Sequence, residues 1–175
     1  MDQIMIDLET LGTGDGAAII QIGACRFDIG TGEIDEDTFL LNIRWDGADF
    51  GTIEPGTLAW WLTQDEAVRE KVFDQNGATY LAQALTRFSS WIATGGAVKT
   101  VWAKGADFDV RLLRQACERN GINMPFQYWK GRDMRTIVKT LDPDGRAVVP
   151  NEMAHDALAD CKSQVAHLVA VLKSV

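Results

Sequence analysis

The feature that most constrains this chain is a change of hydrophobic period near residue 55. Before it, apolar residues alternate or run together as they do in strands; after it, they recur at helical spacing. The segments "QIMIDL" (3–8), "AAIIQIGACRFD" (17–28) and "EDTFLLNI" (36–43) read as three strands. Their connections are short, the last through the Gly-rich "IGTGE", which predicts an antiparallel meander. "PGTLAWWL" then opens a short helix and "TQDEAVREKVF" a second. Leu81, Leu85, Phe88 and Ile92 recur at steps of four, three and four, one face of an amphipathic helix. "VKTVWAKG" (98–105) reads as a further strand, and "DFDVRLLRQACERNG" as a helix that Gly121 ends. "PFQYW" is expected as a last short strand before a helix at "DMRTIVKTL", and a loop over 142–154 leads to a final helix from about Asp156 to Lys173. Strands first, then strand–helix alternation, imply an α/β fold: a mixed sheet, antiparallel at first and then parallel, with helices on both faces.

No repeat, low-complexity tract or Ser/Pro linker interrupts the 175 residues, so a single domain over 1–175 is expected. No apolar run reaches 18 residues and no basic start precedes an apolar stretch, so neither a membrane span nor a secretory signal is expected. Cys25, Cys117 and Cys161 form no CxxC pair and read as reduced thiols in a cytoplasmic protein. The net charge of −8 argues against a polyanionic partner, but it is unevenly spread. Residues 1–98 carry 16 acidic and 5 basic residues, whereas 99–140 carry 9 basic and 4 acidic. Such a chain can present one basic face; a set of solvated helix surfaces accounts for the same counts.

Chemistry enters at the end of the first strand. Asp7 and Glu9 are two apart, so they share a face where the strand ends, with Gly12 and Gly14 turning the chain soon after. Two close carboxylates repel unless a cation lies between them, and Mg²⁺ or Mn²⁺ suits oxygen ligands. Taken alone, this spacing is better explained by an exposed strand end with two ordinary surface acids. In "WAKGADFDVRLL", Asp107 and Asp109 fall at a strand-to-helix junction. Asp107 suits an N-cap, while Asp109 lies inside the first turn and can project into a site. His155 and Asp160 are five apart in "AHDALADCKSQ", about 140° out of line on one continuous helix. They converge only if His155 precedes the helix, which an N-cap at Asp156 allows. His167, mid-helix beside Leu168, reads as structural.

Together "IDLET" (Asp7, Glu9), "GADFD" (Asp109) and "HDALAD" (His155, Asp160) resemble the motifs of the DEDDh 3′–5′ exonucleases, the DnaQ-like superfamily with a ribonuclease H-like fold. The tyrosine variant needs YxxxD; position 156 is Asp, so the histidine branch fits. "WWLTQDEAVRE", "VWAKGADFDVRLL" and "GRDMRTIV" are similar to the short phage- and prophage-type branch, exonuclease VIII-like or 3′–5′ exoribonuclease-like. Ala103 and Lys104 stand where relatives often carry Gly and a polar residue, which blurs any substrate preference.

The resemblance implies hydrolysis from the 3′ ends of single-stranded DNA or RNA, including 3′ overhangs, with two Mg²⁺ or Mn²⁺ ions about 4 Å apart. Asp7, Glu9, Asp109 and Asp160 would hold the ions, and His155 would accept the proton of the attacking water. Thr10 and Leu11 match positions that touch the terminal nucleotide. Phe108 belongs to the same expected surface, and one of the adjacent Trp60 and Trp61 would stack a base, although core packing accounts for either. Lys104, Arg132 and Arg135 are candidate phosphate contacts, whereas Asp133 is expected to orient Arg135 or cap the next helix. Homodimers occur in that branch, so a homodimer is expected by analogy only. Two other readings stay open: a nucleic-acid-binding module without catalysis, and a metal-dependent nucleotide phosphohydrolase.

Overall fold

In the computed structural model, which describes residues 1–147, 149–151 and 153–174, the first three strands pair as expected. Val148 and Glu152, within the loop expected over 142–154, and the terminal Val175 lie outside the described residues. β1 (Gln3–Thr10) is antiparallel to β2 (Ile19–Phe27), which is antiparallel to β3 (Phe39–Asn42). β4 (Thr100–Ala103) joins the other side of β1 in parallel, and β5 (Gly131–Asp133) joins β4 in parallel. The order β3-β2-β1-β4-β5 makes β1 the central strand. A central strand is covered on both faces, which is why β1 is apolar until its acids.

Six α-helices among the described residues complete the fold: α1 (Pro55–Trp61), α2 (Glu66–Val72), α3 (Leu81–Thr94), α4 (Ala106–Arg119), α5 (Met134–Leu141) and α6 (Ala157–Lys173). Alternation along β1 divides the core. Ile4, Ile6 and Leu8 face one way and pack with Leu85, Phe88 and Leu113 of α3 and α4. Met5 faces the other way, among Cys161, Val165 and Leu168 of α6 and Met134 of α5. Helices therefore lie on both faces. The face that carries Met5 also carries Asp7 and Glu9, two and four residues on.

Glycine and aspartate set the details. At Gly23 of β2 an added Cβ would lie 2.4 Å from the backbone carbon of Ala157, so only glycine lets the start of α6 sit this close to the sheet. Asp65, Asp133 and Asp156 cap α2, α5 and α6 through their side chains. Two expectations need correction. Asp107 is not a cap: α4 starts after Gly105 at φ 115°, and the Asp133 carboxylate accepts from the N–H groups of Gly105 (3.0 Å) and Ala106 (3.4 Å). "PFQYW" forms no strand; a 3₁₀ turn at Tyr128–Lys130 precedes β5, whose pairing begins only at Gly131. Pro125 has no N–H for a ladder, and adjacent Tyr128 and Trp129 are both exposed, against the alternation a strand requires. The three cysteines are buried and free. Among the described residues no helix is long and apolar enough to cross a membrane.

Candidate active site

The carboxylates gather where β1, α4 and α6 meet. The register of β1 against β2 shifts between Glu9 and Thr10, a bulge that turns the strand end beside Glu9. Asp7 Oδ1 accepts from Gln164 Nε2 at 2.7 Å, across from β1 to α6. Asp109, in the first turn of α4, accepts from the Leu8 backbone N–H at 3.1 Å, which joins α4 to β1 between the two strand acids. Asp160, in the first turn of α6, accepts from the His155 backbone N–H at 2.7 Å and from Asn151 Nδ2 at 2.6 Å.

His155 precedes α6, with Asp156 as its N-cap. It has φ 70°, the only positive φ at a non-glycine residue among those described. That conformation costs roughly 1–3 kcal/mol in a residue of this bulk and persists only where neighbours over-determine it. Three anchors do so here. Its N–H is held by Asp160, its ring meets Trp60 edge-on at 4.8 Å, and the following Asp156 is paired with Lys71 Nζ at 2.9 Å. Glu9, His155 and Asp160 each present a ligand atom within 4.8 Å of the other two. The tightest group is thus two acids and the imidazole, with Asp7 and Asp109 alongside.

Burial and mutual repulsion mark this as a place short of positive charge. Burial, then the charges of Asp160, Asp109 and Asp156, push Glu9 from an ordinary 4.5 to about 9. Burial drives Asp109 up to about 7, although the Leu8 N–H and the Arg135 charge oppose it. Asp7 rises by burial and by the charges of Asp109, Glu9 and Asp160; Asp160 rises by burial, opposed by His155 and Lys104. Oxygen donors beside one imidazole, each acid destabilised by the next, fit a divalent cation.

Beside the acids a groove of about 380 Å³ is walled by Glu9, Thr10, Thr57, Trp60 and Phe108. Both tryptophans line the groove, but unequally. Trp60 is 40% exposed and lies in the groove, whereas Trp61 is 1% exposed and donates from Nε1 to the Thr10 carbonyl at 2.8 Å. Trp61 therefore supports the strand end. Thr10 lines the groove with its hydroxyl donated to the Gly12 carbonyl, but Leu11 is packed in the core. Lys104 and Arg135 are near enough to the acids to lower Asp160 and Asp109 respectively, and Arg135 donates to the Lys104 carbonyl at 3.1 Å. Arg132 is not brought to the acids: its guanidinium turns back onto the carbonyls of Trp129 and Gly131.

Several supports escaped sequence reasoning. Gln164 lies four residues after Asp160 on the same helix face, a spacing that was open to view. Gly23, a glycine inside an apolar strand, is a general sign of close backbone approach. Asn151 and Lys71 carried no local signal, since each acts through a contact made only by the fold.

The family match places this chain, with its five-stranded mixed sheet, among the 3′–5′ exonucleases, which are hydrolases. The chain belongs to the family described as the 3′-5′ exoribonuclease Rv2179c-like domain, which it matches over residues 2–172. It is similar to an exodeoxyribonuclease of Enterobacteria phage T4, 22% identical over 94% of this chain and 86% of the relative. Among solved structures it resembles the nuclease domain of 3′hExo, a DEDDh family member bound to rAMP (17% identity, TM-score 0.64, 98% of this chain and 92% of that one). It also resembles S. pombe Pop2p in its Mg²⁺- and Mn²⁺-bound form (16% identity, TM-score 0.56, 99% and 83%).

Proposed function

We propose that residues 1–175 act as one metal-dependent exonuclease domain that removes nucleotides from the 3′ end of single-stranded nucleic acid. The observation that carries this reading is the convergence of Glu9, His155 and Asp160 within 4.8 Å, flanked by Asp7 and Asp109. Asp7, Glu9, Asp109 and Asp160 would hold a pair of Mg²⁺ or Mn²⁺ ions, which when bound lower the pKa of water and stabilise a leaving oxygen. The metal-bound form of Pop2p agrees with that chemistry.

The chain's own groups do the rest. The His155 imidazole accepts the proton of the attacking water as its oxygen bonds to phosphorus. The bond from phosphorus to the upstream 3′-oxygen breaks, releasing a nucleoside 5′-monophosphate. The contacts that hold His155, Asp160 on its N–H and Trp60 against its ring, fix the imidazole instead of letting it swing with the loop. Trp60 and Phe108 flank the terminal base, stacking without reading its identity. Lys104 and Arg135 face the phosphates.

The family is named for a ribonuclease and the phage relative is a deoxyribonuclease, so both polymers belong in the test. Single-stranded DNA, single-stranded RNA and 3′-tailed duplexes, labelled at the 5′ end, are incubated with Mn²⁺ or Mg²⁺. A ladder shortening from the 3′ end, abolished by EDTA and by Asp7→Ala, is the expected result. Cleavage of mononucleotides alone, or binding without cleavage, overturns it. A homodimer would have the exposed Ile53, Leu58 and Leu62 around α1 to bury, and light scattering reads the mass directly.

A further inference from the structure

A second cleft, of about 400 Å³, lies between α5, His167 of α6 and Lys104 just after β4. The two share no lining residue. Lys104, Arg135 and Lys139 bring three positive charges to this cleft in a chain of net charge −8. Asp142 is the acid among its lining residues, and it is already engaged. Its carboxylate accepts from the N–H groups of Arg146 (3.0 Å) and Ala147 (2.8 Å) and lies 3.5 Å from Arg146 Nε. Lys104 and Lys139 have no ion-pair partner among the described residues. Met134, Val138 and Val149 supply an apolar wall beside these cations. Cations next to apolar surface suit a group with a phosphate at one end and a sugar or base at the other, and the volume lies in the range that holds a small molecule.

We infer that this cleft seats the strand just upstream of the scissile bond, with its phosphates on Lys104, Arg135 and Lys139; the inference rests on the exonuclease reading. Direction follows from the two grooves. The Trp60 groove ends against the turn after β1, where Gly14 N–H (2.8 Å) and the Thr13 hydroxyl (3.1 Å) are tied to Glu54 at the start of α1. This tied turn gives the groove a firm wall on the Thr13 side, against which a chain end can rest. The continuing strand must then leave across the acids, and Lys104 and Arg135 stand beside that crossing: Lys104 follows the end of β4 just ahead of α4, whose first turn carries Asp109, and Arg135 donates to the Lys104 carbonyl at 3.1 Å. Lys139, further along α5, adds a contact that a dinucleotide is too short to reach.

Length dependence tests this. In an Asp7→Asn background with Mg²⁺, anisotropy gives Kd for 5′-labelled oligothymidylates of two to eight nucleotides. Affinity is expected to rise with length by about tenfold or more. Lys139→Glu should remove most of that gain and flatten the salt dependence by about 0.7 in log Kd per log salt for each phosphate no longer neutralised. Lys139→Arg should retain the gain, and since Lys139 is exposed, a thermal melt confirms that each variant is folded. An unchanged length dependence in Lys139→Glu overturns the inference. Wild-type shortening of 3′ ends in Mn²⁺ is scored separately: shortening with no effect of Lys139→Glu removes the cleft alone, whereas a Lys139-dependent length gain without shortening removes the exonuclease reading.

Discussion

The two halves of the site are held by different means. Asp7 and Glu9 stand on β1, where they pair with Gly23 and Gln21 of β2, and their positions follow from strand geometry. His155 stands on the segment before α6, in a backbone conformation that its own residue type disfavours. What fixes it is a chain of side-chain contacts. Lys71 holds Asp156, Asn42 accepts from Gln21 Nε2 (2.8 Å) and donates to the Lys71 carbonyl (2.8 Å), and Gln21 Oε1 accepts from Ala157 N–H (2.7 Å). A rigid sheet suits groups that must hold cations at fixed separation. A loop with local anchors suits a group that exchanges a proton with solvent in each turnover.

If that division of labour is right, variants in the two halves should fail differently. Asp7→Ala is expected to give the largest loss, roughly 10⁴-fold in kcat, the equivalent of several kcal/mol of charge stabilisation, together with loss of Mn²⁺ binding by calorimetry. His155→Ala should lower kcat by about 10²–10⁴-fold and leave Mn²⁺ affinity within a few-fold of wild type. Because His155 lies within 4.8 Å of Glu9 and Asp160, metal affinity that collapses in His155→Ala would make it a ligand instead of a base. Turnover at the wild-type rate would take it out of the mechanism.

The same contrast explains what could be read from the sequence. β1 to β3 and the Leu81–Ile92 face of α3 were legible because each rests on a local period, whereas the four acids were singled out as a set only by the resemblance of three short motifs. The convergence of His155 with Asp160 was legible too, since helix geometry forbids it unless His155 precedes the helix. The errors fell where tertiary contacts decide. Asp107 looked like the cap of α4, yet Asp133, 28 residues beyond Gly105, holds that terminus. Trp60 and Trp61 were indistinguishable in sequence because a helix separates neighbours by only about 100°, and which one faced the groove depended on where Thr10 offered a carbonyl. For Leu11 and Arg132, too, only the fold decides placement: the Leu11 side chain packs in the core and the Arg132 guanidinium turns onto the carbonyls of Trp129 and Gly131.

Smaller effects probe the loop-borne half further. Trp60→Ala should weaken binding of a 3′ end by about 1–3 kcal/mol, seen mainly in KM, since the ring lies in the groove and also abuts His155. Lys71→Met leaves the buried Asp156 without its cation. We expect a fall of about 10-fold in kcat, the scale of groups that orient catalytic residues, with KM little changed and Lys71→Arg restoring most of it. An equal loss in Lys71→Arg would mean that the lysine aliphatic chain matters and its charge does not.

The buried acids of β1 and α4 make the last and mildest prediction, which concerns stability and not rate. Without metal, Glu9 titrates near 9 and Asp109 near 7 in the folded chain, against ordinary values of 4.5 and 3.8 when unfolded. Between those limits the folded chain keeps protons that the unfolded chain has lost. Stability in EDTA must therefore fall as pH rises, first as the unfolded carboxylates ionise near pH 4–5 and onward until Glu9 itself ionises near 9. We expect Tm in EDTA to drop by about 5 °C or more from pH 5 to pH 8, since each kcal/mol is worth roughly 2–4 °C in a chain of this size. Mn²⁺ binds the ionised acids, so its stabilisation should be larger at pH 8 than at pH 5. A Tm in EDTA that stays level across this range would show that the four carboxylates are not forced together by the sheet. Glu9→Gln should flatten the slope even where it abolishes activity, because it removes the acid that resists ionisation to about pH 9.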